Sequence, residues 1–211
     1  MITLYTWTTP NGRKISIALE ELGLPYEVKP VNIGADEQFA PDFLAISPNN
    51  KIPAIVDHGA AGGPIAIFES GAILLHLAER AGALLPSDAA GRAKVLEWLF
   101  WQVGGIGPIF GQLFYFARRA PEQLPLPITR FRDEALRLLG VMEKRLGQTQ
   151  YLGGETYSIA DIATYPWINT AIPLIREAAG DAMPPTPHID HWLADLTARP
   201  AVQRGMAVPN V

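Results

Sequence analysis

The first thirty residues change hydrophobic period twice, and that change limits the fold more than any other feature of the chain. Ile2 and Leu4 alternate with Thr3 and Tyr5, the two-residue period of a strand. From about Asn11 to Leu22, the apolar residues Ile15, Ala18, Leu19 and Leu22 recur at helical spacing. Gly23 then offers a left-handed cap, and Pro25 bars continuation. Alternation returns in Tyr26, Val28 and Pro30, interleaved with Glu27 and Lys29, as in an edge strand. Strand, helix and strand in that order make a βαβ unit with a parallel pair.

A polar loop and a short helix near Phe39–Ile46 come next. "IPAIV" reads as a short buried strand, "GAAGGP" as a turn and "IAIFES" as a second strand, so the two form an antiparallel hairpin. Ser70 is the expected cap of a helix that carries Ile73, Leu74 and Leu77 and ends near Gly82. "GALLPSDAAG" reads as a linker, and everything after it reads as helix, over Arg92–Val103, Ile109–Arg118, Thr129–Leu146, Ser158–Ile172 and His188–Ala198. The expected division is an α/β domain over 1–82 and an all-helical domain over 91–211. "WLFWQVGGIGPIFGQLFYFA" is long enough to span a bilayer, but Gln102, Gln112, its glycines and Pro108 interrupt it. It reads as two buried helical pieces with a break at Gly104–Pro108. Ser158-x-x-Asp161 is a capping box, flanked by Tyr157 and Ile162 at the hydrophobic staple positions, and its role is structural.

The chain of 211 residues is 48% hydrophobic and 18% charged, which marks a packed globular protein. Its net charge of −4 argues against a general affinity for nucleic acid or anionic membranes. Met1 leads straight into the strand pattern with no secretory signal, so a cytoplasmic protein is expected. Cysteine is absent, which excludes disulfides and thiolate metal sites. The absence matters at "WTTPNGRKIS", which starts at Trp7 between the first strand and the first helix. That junction is where a thioredoxin-type fold carries its reactive cysteines.

Three features share one chemistry. Ile52-Pro53 stands at a strand start; a cis peptide there would offer the Ile52 backbone to an extended peptide, whereas a trans proline is the commoner state. Glu69-Ser70 stands where a strand ends and a helix begins, so free N–H groups suit a carboxylate and Glu69 suits an ammonium. One α-amino-acid head group carries both charges; the alternative is a plain N-cap. Thr9–Asn11 opens the first helix, whose positive pole favours an anion such as a thiolate, or else these side chains only cap it. Together the three sites fit a small peptide with an amino-acid end and a thiol.

"TTPNG", "SPNNKIPAIVD", "FESGAILLHLAE", "WLFWQVGGIGP" and "YLGGETYSIADIATYPW" resemble the cytosolic glutathione transferases, most of all the bacterial nu class, whose members reduce disulfides with glutathione. The resemblance covers essentially the whole chain. It implies a thioredoxin-like N-terminal domain, a helical C-terminal domain, a homodimer, glutathione as cosubstrate and no metal. No tyrosine, cysteine or Ser-x-x-x-Arg pattern marks the catalytic residue of the better-known classes, and Tyr5 sits on the strand away from the thiol. The sulfur then belongs to glutathione. A free thiol has a pKa near 8.5, and lowering it by about two units takes roughly 2.7 kcal/mol of differential stabilisation. Thr9, Asn11 and the helix pole are the expected source, with Pro10 pre-setting the first turn.

The resemblance further implies that Ile52 pairs its backbone with the cysteinyl unit and that Glu69 and Ser70 hold the γ-glutamyl end. Gln38 and Lys51 are candidates for the glycyl carboxylate and the groove wall, and Arg130 resembles an arginine that reaches the ligand from the partner subunit, a solvated helix charge being the alternative. Thiol–disulfide exchange is the expected reaction. Conjugation of glutathione to an electrophile and a noncatalytic binding module of the same fold are the alternatives. His188 and His191 stand at i, i+3 without an evident third metal ligand. "GGIG" follows no strand and is no dinucleotide fingerprint. Phe110, Phe114 and Tyr115 are expected in the core, or in part lining a second-substrate pocket.

Overall fold

Strand β1 (Ile2–Thr6) pairs in parallel with β2 (Tyr26–Pro30) and in antiparallel with β3 (Ala54–Asp57). Strand β4 (Ile65–Phe68) pairs with β3, giving the order β2-β1-β3-β4 in this computed structural model, which describes residues 1–211. The two-residue period sends Ile2 and Leu4 to the face of Asp57 and Ile55, and Thr3 and Tyr5 to the face of Val56 and Ala54. Helices α1 (Pro10–Leu22), α2 (Pro41–Leu44) and α3 (Ser70–Ala81) cover these faces. On one face Ile15, Ala18 and Leu19 of α1 and Ile73, Leu74 and Leu77 of α3 are fully buried. On the other, Phe43 of α2 joins Val31 and Ala54, with Tyr5, Ile52 and Phe68 packed against them. Tyr5 thus lies beneath α2, its ring centroid 6.1 Å from that of Phe43.

Two local devices fix α1 and α3. A Cβ at Gly12 would collide with the Thr6 side chain and the Trp7 carbonyl, so only glycine lets the first turn of α1 lie this close to the end of β1. Asp57 is fully buried, and its carboxylate receives the Gly59 N–H and a His76 Nε2 contact, each at 2.9 Å, and pairs with Arg80. His76 and Arg80 belong to α3, so the carboxylate ties that helix to β3.

The helical unit begins with α4 (Ala89–Trp101), earlier than the expected Arg92, because the Asp88 side chain caps it by accepting the Gly91 N–H at 2.8 Å. The expected break at Gly104–Pro108 is absent. A π-helical turn over Gln102–Ile106 passes directly into α5 (Gly107–Phe114), and the widened turn accommodates the proline ring and its missing N–H. Phe110 is buried as expected, but Phe114 is 44% exposed, outside the stripe that α5 buries, and Tyr115, in the π-helical turn that follows α5, is 46% exposed. No helix is long and apolar enough to cross a membrane.

Helices α6 (Pro125–Leu146), α7 (Ile159–Ala179) and α8 (Pro187–Thr197) complete this unit. Helix α7 runs through Pro166 and Pro173, where the sequence reading stops at Ile172; burial of Ile168, Ile172 and Ile175 outweighs the lost hydrogen bonds. The capping box forms, and Asp161 also receives Leu152 N–H at 2.9 Å and Trp192 Nε1–H at 3.0 Å. A structural role accounts for all of these contacts.

The chain then makes α9 (Pro200–Met206), a short helix absent from the sequence reading. Two compact units result: Met1–Leu85 with Thr197–Val211, and Pro86–Leu196. The C-terminal segment, expected with the helical part, therefore packs with the sheet. Gly205 lies so close to α1 that a Cβ would come within 2.5 Å of Ile17 Cα. Ser16 Oγ donates to the Gly205 carbonyl at 2.6 Å, and Arg199 forks onto Glu21 at 2.7 and 2.9 Å.

Asp57 sets an acid limit on stability. Burial opposes its ionisation, but the bonds from His76, the Gly59 N–H and Arg80 prevail and hold it down at about 2, against 3.8 unfolded. Its contribution, roughly 2 kcal/mol, is complete above pH 4 and disappears as pH falls towards 2. In thermal unfolding Asp57→Asn should melt well below the parent protein at pH 5, and the gap should narrow at pH 2.5. A gap independent of pH would show that the carboxylate's charge is not what ties β3 to α3.

Candidate functional site

The register of the sheet gathers three chain segments at one edge. Tyr5, near the end of β1, pairs with Ala54 at the start of β3, and Ala54 pairs with Phe68 at the end of β4. The turn into α1, the approach to β3 and the turn into α3 therefore open on the same side. Between them lies a groove of about 150 Å³, lined by Asn11, Lys51, Ile52, Pro53 and Phe68 together with Glu69 and Ser70. Five of the residues singled out in the sequence, Asn11, Lys51, Ile52, Glu69 and Ser70, thus meet around one concavity.

Each is held by its local chain. Thr9 is the N-cap of α1, and its Oγ1 accepts the Gly12 N–H at 3.3 Å. The bond occupies a lone pair and leaves the hydroxyl hydrogen for another partner. Pro10 takes the first helical position, as expected. The Ile52-Pro53 peptide is cis, one of the two states the sequence leaves open. Ser47 Oγ donates to the Lys51 carbonyl at 2.8 Å and fixes the turn before β3. Glu69 has φ 71° and ψ 114°, a conformation that costs a non-glycine residue on the order of 1–3 kcal/mol. The strained residue carries a carboxylate at the rim of the groove.

Ser70 is not the cap expected of it. Glu69 occupies the N-cap position of α3 without a side-chain cap bond, and Ser70 is the first helical residue. Its hydroxyl is engaged instead by a residue that sequence reasoning missed. Lys14 of α1 is only 2% exposed, and its Nζ donates to Ser70 Oγ at 3.2 Å. Burial pulls the Lys14 ammonium down to about 7, partly offset by the negative charge of Glu69. The available signal was positional: Lys14 is four residues before Ala18 and adjacent to Ile15, on the buried side of α1.

Gln38 and Arg130 do not line the groove. Gln38 lies in the turn Glu37–Phe39, where its amide donates to Asp36 Oδ1 at 3.3 Å and its Oε1 is buried without a partner. Arg130 is exposed on α6, in the field of Glu134. His188 and His191 border a hollow in the helical unit with Gly147 and Trp192, and no three His, Cys, Asp or Glu side chains form a metal-binding group.

The glutathione S-transferase N-terminal domain model matches residues 1–79, and the C-terminal domain model matches residues 113–200. The chain is 49% identical over 208 residues to the disulfide-bond oxidoreductase YfcG of Escherichia coli, covering 98% of this chain and 94% of that one. A glutathione transferase from Burkholderia graminis, with two glutathione molecules bound per subunit, superposes with TM-score 0.92 at 46% identity over 99% of this chain and 88% of the other. One from Pseudomonas putida, with a glutathione disulfide bound per subunit, gives TM-score 0.93 at 44% identity over 99% and 91% of the two chains.

The buried ammonium should be visible in the free protein. Lys14 titrates at 10.5 when unfolded and at about 7 when folded, so between those values the unfolded chain binds the extra proton. Its contribution to stability is complete above pH 10.5 and is lost as pH falls through 7. Urea unfolding of the parent and of Lys14→Met should therefore differ by a few kcal/mol more at pH 9.5 than at pH 7, in favour of the parent. Parallel pH profiles for the two proteins would place the lysine charge outside the core.

Proposed function

The chain belongs to the glutathione S-transferase family, and we propose that it works on that scaffold as a glutathione-dependent disulfide-bond oxidoreductase. The reading is carried by the likeness to a disulfide-bond oxidoreductase over 98% of the chain, combined with a groove that presents a carboxylate, a hydroxyl and a helix start to a single small peptide. Solved structures of similar proteins hold glutathione or its disulfide, which supports the same ligand here.

Glutathione would lie across the groove with its γ-glutamyl end at Glu69 and Ser70. The Glu69 carboxylate faces the ammonium, and Ser70 with the first N–H groups of α3 faces the carboxylate. The cysteinyl unit would pair with the Ile52 backbone, as a strand added to a sheet does. Lys51, exposed at the rim, and Gln38 would take the glycyl carboxylate. The thiol then comes to the start of α1, where Asn11, the free hydrogen of Thr9 and the helix pole favour the thiolate.

The chemistry is an exchange between sulfurs. The thiolate attacks one sulfur of a disulfide, a new S–S bond forms to glutathione, and the other sulfur leaves as a thiolate that takes up a proton. A second glutathione thiolate attacks the mixed disulfide and releases the reduced thiol and glutathione disulfide. Two glutathione molecules supply the two electrons, so the protein needs no cysteine. We place the protein in the cytoplasm, where glutathione is kept reduced. We also propose a homodimer in which Arg130 reaches the partner's groove and meets the carboxylates of the second glutathione.

Parallel assays with a small disulfide and an aryl halide test the reaction: turnover of the disulfide should exceed conjugation by at least tenfold, and the reverse order would overturn the assignment. Thr9→Ala and Asn11→Ala should each move the thiolate absorbance of bound glutathione to higher pH. If both titrate like the parent, neither side chain stabilises the sulfur. Arg130→Ala should weaken glutathione disulfide more than glutathione at fixed low salt, with little change in Tm; equal losses would remove Arg130 from the second glutathione.

A further inference from the structure

Ser70 Oγ has one hydrogen and two lone pairs. A lone pair is taken from inside the protein by Lys14 Nζ at 3.2 Å, so the hydrogen must point away from the ammonium. Ser70 donates to no protein group in the structure, and it lines the groove. The lysine itself is 2% exposed, wedged between α1 and α3, so solvent cannot replace it in this role. Glu69, the charged neighbour whose field favours the ammonium, stands on the groove side of the same pair.

We propose that Lys14 is a positioning residue for the ligand: its ammonium, bonded to Ser70 Oγ from behind, fixes that hydroxyl as a donor to the γ-glutamyl carboxylate. The ammonium does this in two ways. It sets the direction of the O–H, which otherwise rotates among three staggered positions. It also polarises the hydroxyl, so that the bond to the carboxylate joins a short chain of hydrogen bonds that strengthen one another. The arriving carboxylate in turn favours the charged form of Lys14, whose burial is otherwise unfavourable. The zwitterionic end is thus read by an inner cation and an outer anion, Lys14 and Glu69, with Ser70 between them. This inference rests on the placement of the γ-glutamyl end proposed above.

The test is a double-mutant cycle read by calorimetric affinity for two ligands, glutathione and its analogue with hydrogen in place of the γ-glutamyl α-carboxylate. Lys14→Met should weaken glutathione binding about tenfold and the analogue less than twofold. In the Ser70→Ala background the same change should cost nothing further. Lys14→Gln, which keeps a donor for Ser70 without the charge, should recover part of the loss, and it serves if Lys14→Met melts below the assay temperature. Equal losses for both ligands, or losses that add in the double variant, would mean that Lys14 only supports the fold and the inference is wrong. If Ser70→Ala and Glu69→Gln leave glutathione affinity unchanged, the placement of the γ-glutamyl end itself fails, a result separate from the behaviour of Lys14.

Discussion

A buried lysine–serine contact joining the N-terminal parts of two helices is the one around which the sheet unit is arranged. Lys14 and Ser70 meet only if α1 leaves β1 and α3 leaves β4 at the same edge. The order β2-β1-β3-β4, with β1 and β4 each antiparallel to β3, provides that geometry. Gly12 brings α1 close to the end of β1, and Asp57 anchors α3 to β3. With both helices located, their starts cannot drift apart, and the concavity between them is set by the backbone rather than by flexible side chains.

Most of the fold was legible because it is written in period and punctuation. The alternation of Ile2 and Leu4, the spacing of Ile15 and Ala18, and Gly23 with Pro25 are local signals that survive in the structure. The Ser158–Asp161 box is of the same kind. The failures arose where long-range packing outweighed local signals. Pro173 normally ends a helix, yet buried isoleucines carry α7 past it. Gly104 to Pro108 looks like a break, and a π-helical turn absorbs it. Helix α9 has seven residues and exists because Gly205 fits against Ile17, a partner far away in sequence.

The groove was legible for a different reason. Ile52-Pro53, Glu69-Ser70 and Asn11 lie at boundaries between elements, where backbone groups lack partners, and the sheet register brings those boundaries together. Lys14 lies inside a helix and looks like an ordinary surface charge until the partner helix is known. Ser70 was expected to cap α3 but is its first helical residue, and its hydroxyl is engaged by a residue 56 positions away. Gln38 and Arg130 came from family resemblance alone, and a single chain provides no groove contact for either.

The return of the C-terminal segment to α1 has a consequence for the order in which the molecule is made. Ser16, Ile17 and Glu21 are translated well before their partners Arg199 and Gly205, which follow about 180 residues later in the chain. Pro86–Leu196 forms a compact unit of its own and emerges before those partners do. The groove-bearing unit, although its first segment is translated before the helical one, therefore cannot be completed until Arg199 and Gly205 have also emerged.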